Sequence, residues 1–360
     1  MFDIDFYMKA NSLRKRLDRG ETIENDSTFD ELEGYRNHKP IVYNIETTNA
    51  CNMRCRMCPR TTMMTRKIET IDRATFAKVV DQIEAFPEDK WREWEIFVKN
   101  EYGISKDEMS ENHFFLYIIP RVIQLHGYGD PLLDKNMPEY IRILTARRLQ
   151  SYFSCNPSNI DIPRTLQMFE NGLSYIKYSI ESVDDAVHKQ IRGAASNFSG
   201  SYKKIVQLLE MKDREGFATT VIITMLDLNR AGQANEFATL RKEFEDLDVY
   251  IYLKSEDTQW YRKDFHGTCS IHWSEFCKHP WMSMTIKSNG EATMCMEDFN
   301  NEIVLGDAKR ELLYDIWNGQ KYRKFRQDHF DLTRHIKCTE QCDMRLIGSF
   351  SRSRDGKEED

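Results

Sequence analysis

Six short apolar segments alternate with amphipathic segments between residues 41 and 254, and this alternation restricts the fold more than any other feature of the chain. The apolar segments have the length and β-branched content of buried strands, at residues 41–46, 121–125, 150–154, 175–180, 219–225 and 249–254. Helical spacing lies between them, at residues 72–86, 138–148, 163–171, 184–191, 202–215 and 233–245. Strands that alternate with helices form a parallel sheet with right-handed crossovers. The pattern therefore predicts an α/β fold.

Three cysteines follow the first predicted strand. Cys51, Cys55 and Cys58 have the spacing C-x3-C-x2-C, and no fourth cysteine lies near them. Thiolates are the usual protein ligands of iron–sulfur clusters, and three of them hold a four-iron cube with one iron left open to a substrate or cofactor. The alternatives are three unrelated buried cysteines or a zinc site, which normally has four ligands. The spacing favours the open cluster.

Four further cysteines lie in the C-terminal third of the chain. Cys277 and Cys295 bracket a predicted β-hairpin, and Cys338 and Cys342 follow as C-x3-C. A hairpin brings its two ends together, as two ligands of one metal site require. Four thiolates complete a cube that has no open iron. A structural zinc ion bound by the same four cysteines is the main alternative.

The pattern divides the chain into four segments. Residues 1–40 are a predicted N-terminal helical extension, a short helix followed by a linker, and residues 41–255 hold the α/β repeats. A charged and aromatic insertion at 87–118 is interpreted as a surface helical excursion that packs its own tryptophans, with a functional lid as the alternative. Residues 256–348 form the predicted metal-binding domain, with strands at 281–287 and 292–296 and a helix at 312–325. The polar tail 349–360 is predicted to be disordered.

Charge and composition exclude several functions. The net charge of −7 provides no basic field for nucleic acid or for an anionic membrane surface. We find neither an apolar run of about 18 residues, which a membrane-spanning helix needs, nor the apolar core of a signal peptide. Nine cysteines in a chain without an export signal suggest a reducing compartment. We therefore expect a cytoplasmic protein with metal sites.

The run from Thr48 to Pro59, which carries the first three cysteines, resembles the signature of the radical S-adenosylmethionine (SAM) superfamily. The resemblance extends over residues 41–345 and implies a partial (β/α)6 TIM-like barrel, with a [4Fe-4S] cluster whose open iron binds the amino and carboxyl groups of SAM. After the second strand, the segment Gly127-Tyr128-Gly129-Asp130-Pro131 resembles the family's Gly-Gly-Glu-Pro-type segment, which binds the SAM amino group. This chain departs from that pattern at Tyr128 and Asp130.

The same resemblance implies further SAM contacts at the ends of strands and beside the clusters. These are the backbone of Met57 for adenine, Ser154 and Asn156 for the ribose, Ser179 and Glu181 at the fourth strand, and Arg192 for the carboxylate. The alternative for Arg192 is an exposed arginine at a helix end. Cys155 and Cys269 have no assigned role, and a cysteine of this kind is often a small buried hydrophobe. The alternative is that one of them, with Cys155 nearer the SAM pocket, donates a hydrogen atom to a substrate radical, as in radical SAM epimerases.

The C-terminal cysteines resemble the auxiliary-cluster extension of radical SAM enzymes, in its shorter "twitch" form rather than the longer SPASM form. This implies a second, auxiliary [4Fe-4S] cluster. In the mechanism that the family implies, a flavodoxin or ferredoxin-like protein donates an electron, SAM is cleaved, and a 5′-deoxyadenosyl radical removes hydrogen from the substrate. A fully ligated second cluster is suited to accept an electron. We therefore expect net oxidation of a small molecule, an alcohol of an aminocyclitol or sugar in antibiotic biosynthesis.

Two other functional classes remain open. A peptide-modifying maturase or a radical epimerase would use the same cofactors. About 40 residues precede the first strand, fewer than the leader-binding module that many maturases carry. A non-catalytic iron–sulfur sensor would keep the fold without turnover, but an open-iron motif together with the glycine loop argues against it. The sequence does not predict the oligomeric state.

Overall fold

The computed structural model of the protein describes residues 1–19, 25–106, 108–254 and 277–330. Its strands are β1 (Val42–Ile45), β2 (Val122–Gln124), β3 (Gln150–Cys155), β4 (Tyr175–Ser179), β5 (Thr220–Leu226), β6 (Tyr250–Lys254), β7 (Met284–Ile286), β8 (Glu291–Thr293) and β9 (Val304–Asp307). Its helices are α1 (Ile4–Asp18), α2 (Asn25–Tyr35), α3 (Pro59–Thr62), α4 (Arg73–Val80), α5 (Glu88–Tyr102), α6 (Glu111–His113), α7 (Met137–Ala146), α8 (Ile162–Glu170), α9 (Asp185–Arg192), α10 (Phe198–Glu215), α11 (Gln233–Glu243), α12 (His279–Met282), α13 (Leu313–Asn318) and α14 (Gln320–Phe330).

One sheet joins all of these strands in the order β6-β5-β4-β3-β2-β1-β7-β8-β9. Strands β1 to β6 are mutually parallel, as the alternation predicts, and β7 runs parallel to β1. The predicted hairpin of β7 and β8 is antiparallel and extends this sheet rather than standing apart from it. The α/β prediction is therefore confirmed. All six parallel strands direct their carboxyl ends to one edge, where chemistry gathers in parallel barrels.

The two faces of the parallel sheet differ in composition because successive strand residues point to opposite sides. On β3, Phe153 and Cys155 belong to the main hydrophobic core, which also holds the apolar faces of α4, α7 and α8. Tyr152 belongs to a second core on the opposite face. That opposite face is the interior of the partial barrel.

The second core fills the barrel interior toward the amino ends of the strands. The insertion between α4 and β2 contributes Phe114, whose ring lies 5.3 Å from that of Tyr152 and 5.5 Å from that of Tyr252. Trp94 is fully buried, and its indole N–H donates to the carbonyl of Leu116 at 2.6 Å. The insertion does pack its own tryptophans, but it is a plug of the barrel rather than a surface excursion. Space for a ligand is thereby confined to the carboxyl ends of the strands.

The predicted N-cap of α4 is confirmed, since the Asp72 side chain accepts from the Thr75 amide at 2.8 Å. Several predictions of local structure were wrong. The helix predicted at residues 72–86 ends at Val80. The expected linker before β1 contains a second helix, α2. The strand predicted from residue 281 begins only at β7, because Trp281 and Met282 belong to the short helix α12, which begins at His279. The helix predicted at 312–325 is two helices, because Gly319 is extended and a Cβ there would lie 2.6 Å from the Asp315 carbonyl oxygen. The predicted tail lies outside the described residues.

Candidate active site

The three-cysteine loop follows β1 and is held by the end of α9. The amides of Arg54 and Arg56 each donate at 2.9 Å, to the carbonyls of Arg192 and Ile191 respectively. Gly193 has a φ of +99°, and a Cβ there would lie 3.0 Å from the Arg54 nitrogen. Only glycine combines this conformation with so close an approach. The loop geometry is therefore set by a helix end about 140 residues away in sequence.

The thiols of this loop lie where a bound cation would stabilise their charged forms. Burial chiefly raises the pKa of Cys58 to about 12, and the charges of Cys55 and Cys51 add to the effect. Burial raises the pKa of Cys51 as well. Within the part of the chain that the structure describes, no three histidine, cysteine or acidic side chains are arranged to hold one metal ion. A four-iron cube does not require that arrangement, because each thiolate binds a different iron. The assignment of a cluster to these three thiols stays a prediction.

The glycine segment after β2 lies directly against the residues that lead into the cysteine loop. A Cβ on Gly129 would be 2.1 Å from the carbonyl oxygen of Thr48, and the Asp130 amide donates to the carbonyl of Ala50 at 2.7 Å. A Cβ on Gly127 would be 2.3 Å from a carboxylate oxygen of Glu46. Both glycines therefore permit contacts that any side chain would prevent.

Asp130 joins three loops through its carboxylate. The carboxylate accepts from the amides of Leu132 at 3.0 Å and Asn156 at 3.2 Å, and from the side chain of Asn159 at 2.7 Å. Asn159 also forms a reciprocal amide pair, at 2.8 and 2.9 Å, with Asn52 of the cysteine loop. Burial raises the pKa of Asp130. Asp130 thus positions the loops around the ligand space, and the sequence had not pointed to Asn52 or Asn159.

The side chains at the ends of β3 and β4 lie close together. The hydroxyls of Ser154 and Ser179 are 3.4 Å apart. The Asn156 side-chain amide donates to the hydroxyl of Ser196 at 3.1 Å, and that hydroxyl lies 3.0 Å from Nδ1 of buried His188. Their assignment to the SAM ribose stays a prediction.

Arg192 links the cysteine loop to the end of β4. Its guanidinium forms an ion pair with Glu181 and lies 3.8 Å from Sγ of Cys55. The second carboxylate oxygen of Glu181 accepts from the Leu226 amide at 2.9 Å. The Arg192 side chain is only 13 % exposed, so the alternative of an exposed helix-end arginine is wrong. A largely buried guanidinium fork beside the cysteine loop is suited to a carboxylate ligand.

Cys155 lies in the main hydrophobic core, on the face of β3 opposite Ser154. It is 6 % exposed, and its thiol donates to the carbonyl of Lys177 at 3.7 Å. Burial raises the pKa of this thiol well above its ordinary value. The position favours the packing role over the hydrogen-donor role. Met57 is a partly buried residue in the turn between the second and third cysteines.

A buried charge cluster, which we call the Glu46 cluster, joins β1 to the hairpin domain. The Arg66 guanidinium donates to both carboxylate oxygens of Glu46, at 2.8 and 2.9 Å. The hydroxyl of Ser288 donates to the same carboxylate at 2.9 Å. Burial alone would raise the pKa of Glu46, but the charges of Lys287 and Arg66 hold it below its ordinary value. None of these residues was singled out by the sequence.

Tyr128 connects the glycine segment to the second cysteine site. Its hydroxyl donates to the carboxylate of Glu297 at 2.5 Å, and its amide donates to Glu46 at 3.3 Å. The amide of Glu297 donates to Sγ of Cys295 at 3.4 Å. Tyr128, which replaces the second glycine of the family pattern, therefore lies two contacts away from a predicted cluster ligand. Cys277 is partly buried, and Cys269, Cys338 and Cys342 lie outside the described residues.

Comparison with known families agrees with this geometry. The sequence model of the radical SAM superfamily matches residues 45–232, and the model of the SPASM domain, an iron–sulfur cluster-binding domain, matches residues 277–343. The chain belongs to the radical SAM superfamily. This radical SAM protein is therefore an enzyme whose cofactors are SAM, a [4Fe-4S] cluster and auxiliary iron–sulfur. The SPASM match contains four cysteines, the set predicted to hold one auxiliary cluster.

Relatives are distant in sequence but cover most of the chain. The S-adenosyl-L-methionine-dependent 2-deoxy-scyllo-inosamine dehydrogenase of Niallia circulans is 19 % identical over 285 residues, covering 79 % of this chain and 84 % of that protein. Native anSMEcpe with bound AdoMet has a TM-score of 0.53 at 12 % identity, covering 86 % of this chain and 91 % of that one. SuiB of Streptococcus suis bound to S-adenosylmethionine has a TM-score of 0.51 at 12 % identity, covering 96 % and 86 %. The two structures support the partial-barrel fold. No helix among the described residues is long and apolar enough to cross a membrane.

Proposed function

We propose that this radical SAM enzyme oxidises an alcohol of a small polyhydroxylated molecule, an aminocyclitol or a sugar, to a ketone in natural-product biosynthesis. The observation that carries the proposal is a pair of successive hydrogen bonds: Tyr128 of the glycine segment donates to the carboxylate of Glu297, and the amide of Glu297 donates to Sγ of Cys295 at the second cysteine site. An electron acceptor beside the reacting centre is what a net oxidation requires and a rearrangement does not. The similarity to a dehydrogenase of 2-deoxy-scyllo-inosamine supports the same class of substrate.

The cofactors and the protein would divide the work. When bound, SAM and its cluster would supply the radical chemistry that removes a hydrogen atom from the carbinol carbon; the hydroxyl proton would be released to solvent, and the auxiliary cluster would accept the remaining electron. Cys51, Cys55 and Cys58 would hold the first cluster, and Arg192 would orient the SAM carboxylate beside it. Asp130 fixes the loops around this space through its three hydrogen bonds. Phe114 and the second core keep water from reaching it through the amino ends of the strands.

The partners follow from the same proposal. The substrate would be a small molecule, and a flavodoxin or ferredoxin-like protein would donate the electron that starts each turnover. The setting would be the cytoplasm, where such donors are reduced and thiols remain unpaired.

The test is an anaerobic turnover assay with reconstituted protein, SAM, a reductant and a panel of cyclitols and aminocyclitols. We expect 5′-deoxyadenosine and a ketone product from the wild type. Cys295→Ala should still form 5′-deoxyadenosine but should lose the ketone. Cys155→Ala is the matched control, since its thiol is buried in the core, and it should retain both products.

Two results would contradict the proposal. Failure to form 5′-deoxyadenosine with any reductant would exclude the whole class of reactions. A product that is an isomer of its substrate, together with loss of that product in Cys155→Ala, would establish the epimerase alternative.

A further inference from the structure

The interior face of the barrel is closed at one level of the sheet and open at the next level toward the carboxyl ends. Gln124 of β2 and Tyr152 of β3 are in register and are only 4 % and 1 % exposed. Two residues further along each segment, His126 and Ser154 are partly exposed. Ser179 at the end of β4 is partly exposed as well, and its hydroxyl lies 3.4 Å from that of Ser154. The open space at the strand ends therefore begins at these three residues.

His126 lies at the bottom of this space. The preceding residue, Leu125, belongs to the main hydrophobic core, so the His126 side chain points to the opposite, interior face. Its imidazole ring contacts the ring of Tyr152, with 5.1 Å between the ring centres and 87° between the planes. Tyr152 is part of the second core, which fills the interior below. His126 thus lies where the packed interior ends and the open space begins.

One hydrogen bond fixes both the orientation of the His126 ring and its tautomer. Nδ1 of His126 accepts from the amide of Ser154 at 3.3 Å. A backbone amide can only donate, so Nδ1 is unprotonated and the neutral ring carries its hydrogen on Nε2. Among the residues that the structure describes, no group accepts a hydrogen bond from this Nε2 atom. The partly exposed ring therefore has an unused N–H donor.

The His126 imidazole stays neutral at ordinary pH. Burial, together with the charge of Lys177, lowers the pKa of His126 to about 3. Lys177 lies close enough for this effect because it is in register with Ser154 on the neighbouring strand. A neutral imidazole with its hydrogen on Nε2 donates a hydrogen bond from that atom and does not accept a proton there. The ring is therefore suited to bind an oxygen atom of a ligand.

An N–H donor at this position would meet the oxygen of the reacting alcohol. Ser154, which contacts His126, is the residue predicted to bind the SAM ribose, and the reacting carbon has to lie next to the 5′ carbon of that ribose. In the proposed oxidation the carbinol carbon loses a hydrogen atom to the radical chemistry that SAM supplies. Its hydroxyl proton goes to solvent, and the remaining electron goes to the auxiliary cluster. Negative charge develops on the oxygen as the proton leaves, and a fixed donor stabilises such charge.

We propose that the Nε2–H group of His126 donates a hydrogen bond to the oxygen of the alcohol that this enzyme oxidises. The inference rests on the proposed function and adds a substrate-binding residue to it. His126 neither gains nor loses a proton in this role. It holds the reacting oxygen and stabilises the charge that develops there.

The test separates the roles of the two ring nitrogens. His126→Gln places a side-chain amide near the position of Nε2, whereas His126→Asn places its amide near Nδ1 and leaves Nε2 unreplaced. The reconstituted holoenzyme is saturated with SAM in the absence of a reductant and titrated by calorimetry with scyllo-inositol, whose carbinol carbons are all equivalent. The affinity for SAM is measured separately for each variant.

The Asn variant should lose binding that the Gln variant keeps. We expect His126→Asn to weaken scyllo-inositol by roughly 3- to 10-fold, the range of one hydrogen bond, and His126→Gln to stay within about twofold of the wild type. The affinity for SAM should be unchanged in both. With a reductant, His126→Asn should lower kcat for the ketone at least about tenfold and change KM less, because the donor acts on charge that develops during the reaction. His38→Asn is the control, since His38 is exposed, and it should change none of these quantities.

The outcomes separate this inference from the proposed function. The inference is wrong if the wild type does not bind scyllo-inositol, or if His126→Gln weakens binding as much as His126→Asn, which would make the contact with Ser154 the function of the ring. It is also wrong if the affinity for SAM falls together with that for scyllo-inositol, which would assign the donor to SAM. If scyllo-inositol binds with the expected dependence on His126 but no polyol is oxidised, the hydrogen bond stands and the oxidation proposal fails.

Discussion

Arg66→Met should destabilise the protein more than any substitution of an exposed arginine, because it leaves the carboxylate of Glu46 buried without its main partner. The Arg66 side chain is 7 % exposed and the Glu46 side chain is completely buried. The substitution removes two hydrogen bonds to Glu46 and a third, at 2.7 Å, to the carbonyl of Phe299. Breaking a buried ion pair by removing one partner costs about 3–5 kcal/mol. We expect a loss of that size in the free energy of unfolding.

Two features distinguish this cause from a loss of packing. In a protein that already carries Glu46→Gln, position 46 has no carboxylate charge that could be left without a partner. Arg66→Met should therefore lower the free energy of unfolding by at least about 1 kcal/mol less in that protein than in the wild type. The stability lost through Arg66→Met should also become smaller as the pH is lowered. In the wild type the pKa of Glu46 is held below its ordinary value, so the stability it contributes is present above the unfolded pKa and is lost as pH falls through the folded one. Without Arg66 that pKa rises, and protonation relieves the stranded charge.

The assay is anaerobic urea unfolding of the reconstituted protein, followed by tryptophan fluorescence. Arg142→Met is the matched control, because Arg142 also donates twice to one carboxylate, that of Glu139, at 2.7 and 2.8 Å, but is 59 % exposed. An exposed pair of this kind contributes about 0.2–1 kcal/mol. The reasoning is refuted if Arg66→Met and Arg142→Met cost the same, or if Glu46→Gln leaves the cost of Arg66→Met unchanged.

Three further predictions concern other parts of the site. Gly129→Ala should weaken SAM binding at least about tenfold in equilibrium titration, because the added Cβ would collide with the carbonyl oxygen of Thr48. Gly34→Ala is the control and should leave SAM binding unchanged, since nothing lies within 4 Å of a Cβ at that position. Burial lowers the pKa of His188 to about 4, so the folded protein keeps this side chain neutral and loses stability as the pH falls from about 6.5 to about 4. In His188→Asn, the free energy of unfolding should decrease by about 3 kcal/mol less over this pH range than in the wild type. An unchanged pH dependence would contradict this assignment. Tyr128→Phe should alter the electron paramagnetic resonance signal of the auxiliary cluster near Cys295, and identical spectra would show that the contact does not reach the cluster.

The fold was largely predictable because each strand and helix carries its own signal in the sequence. All six parallel strands were placed to within one or two residues, and the N-cap at Asp72 marked the start of α4. The break at Gly319 was missed because the apolar spacing continues across it, although the backbone of Gly319 is extended and a Cβ there would lie 2.6 Å from the Asp315 carbonyl oxygen. The role of the insertion was missed for a related reason. Its aromatic residues predict burial, but only the sheet shows that Phe114 enters the barrel.

The sequence points to candidate site residues where they lie in one motif and not where they meet across the fold. The cysteine loop, the glycine segment and Arg192 are read from short runs of sequence. The Glu46 cluster joins residues up to 242 positions apart, and no single one of them carries a local pattern. Tyr128 was noted as a departure from the family pattern. Its contact with Glu297 gives that departure a physical reason, since a glycine could not reach the second cysteine site.

The most direct test of the account is the fate of hydrogen from a carbon-deuterated cyclitol. Reconstituted enzyme, SAM and a reductant are incubated with scyllo-inositol deuterated at carbon, and the 5′-deoxyadenosine and the cyclitol products are analysed by mass spectrometry. We predict 5′-deoxyadenosine carrying one deuterium, with a ketone formed in equal amount. If 5′-deoxyadenosine carries no deuterium and no ketone appears with this or any deuterated aminocyclitol, the proposal that the protein oxidises polyhydroxylated rings is contradicted.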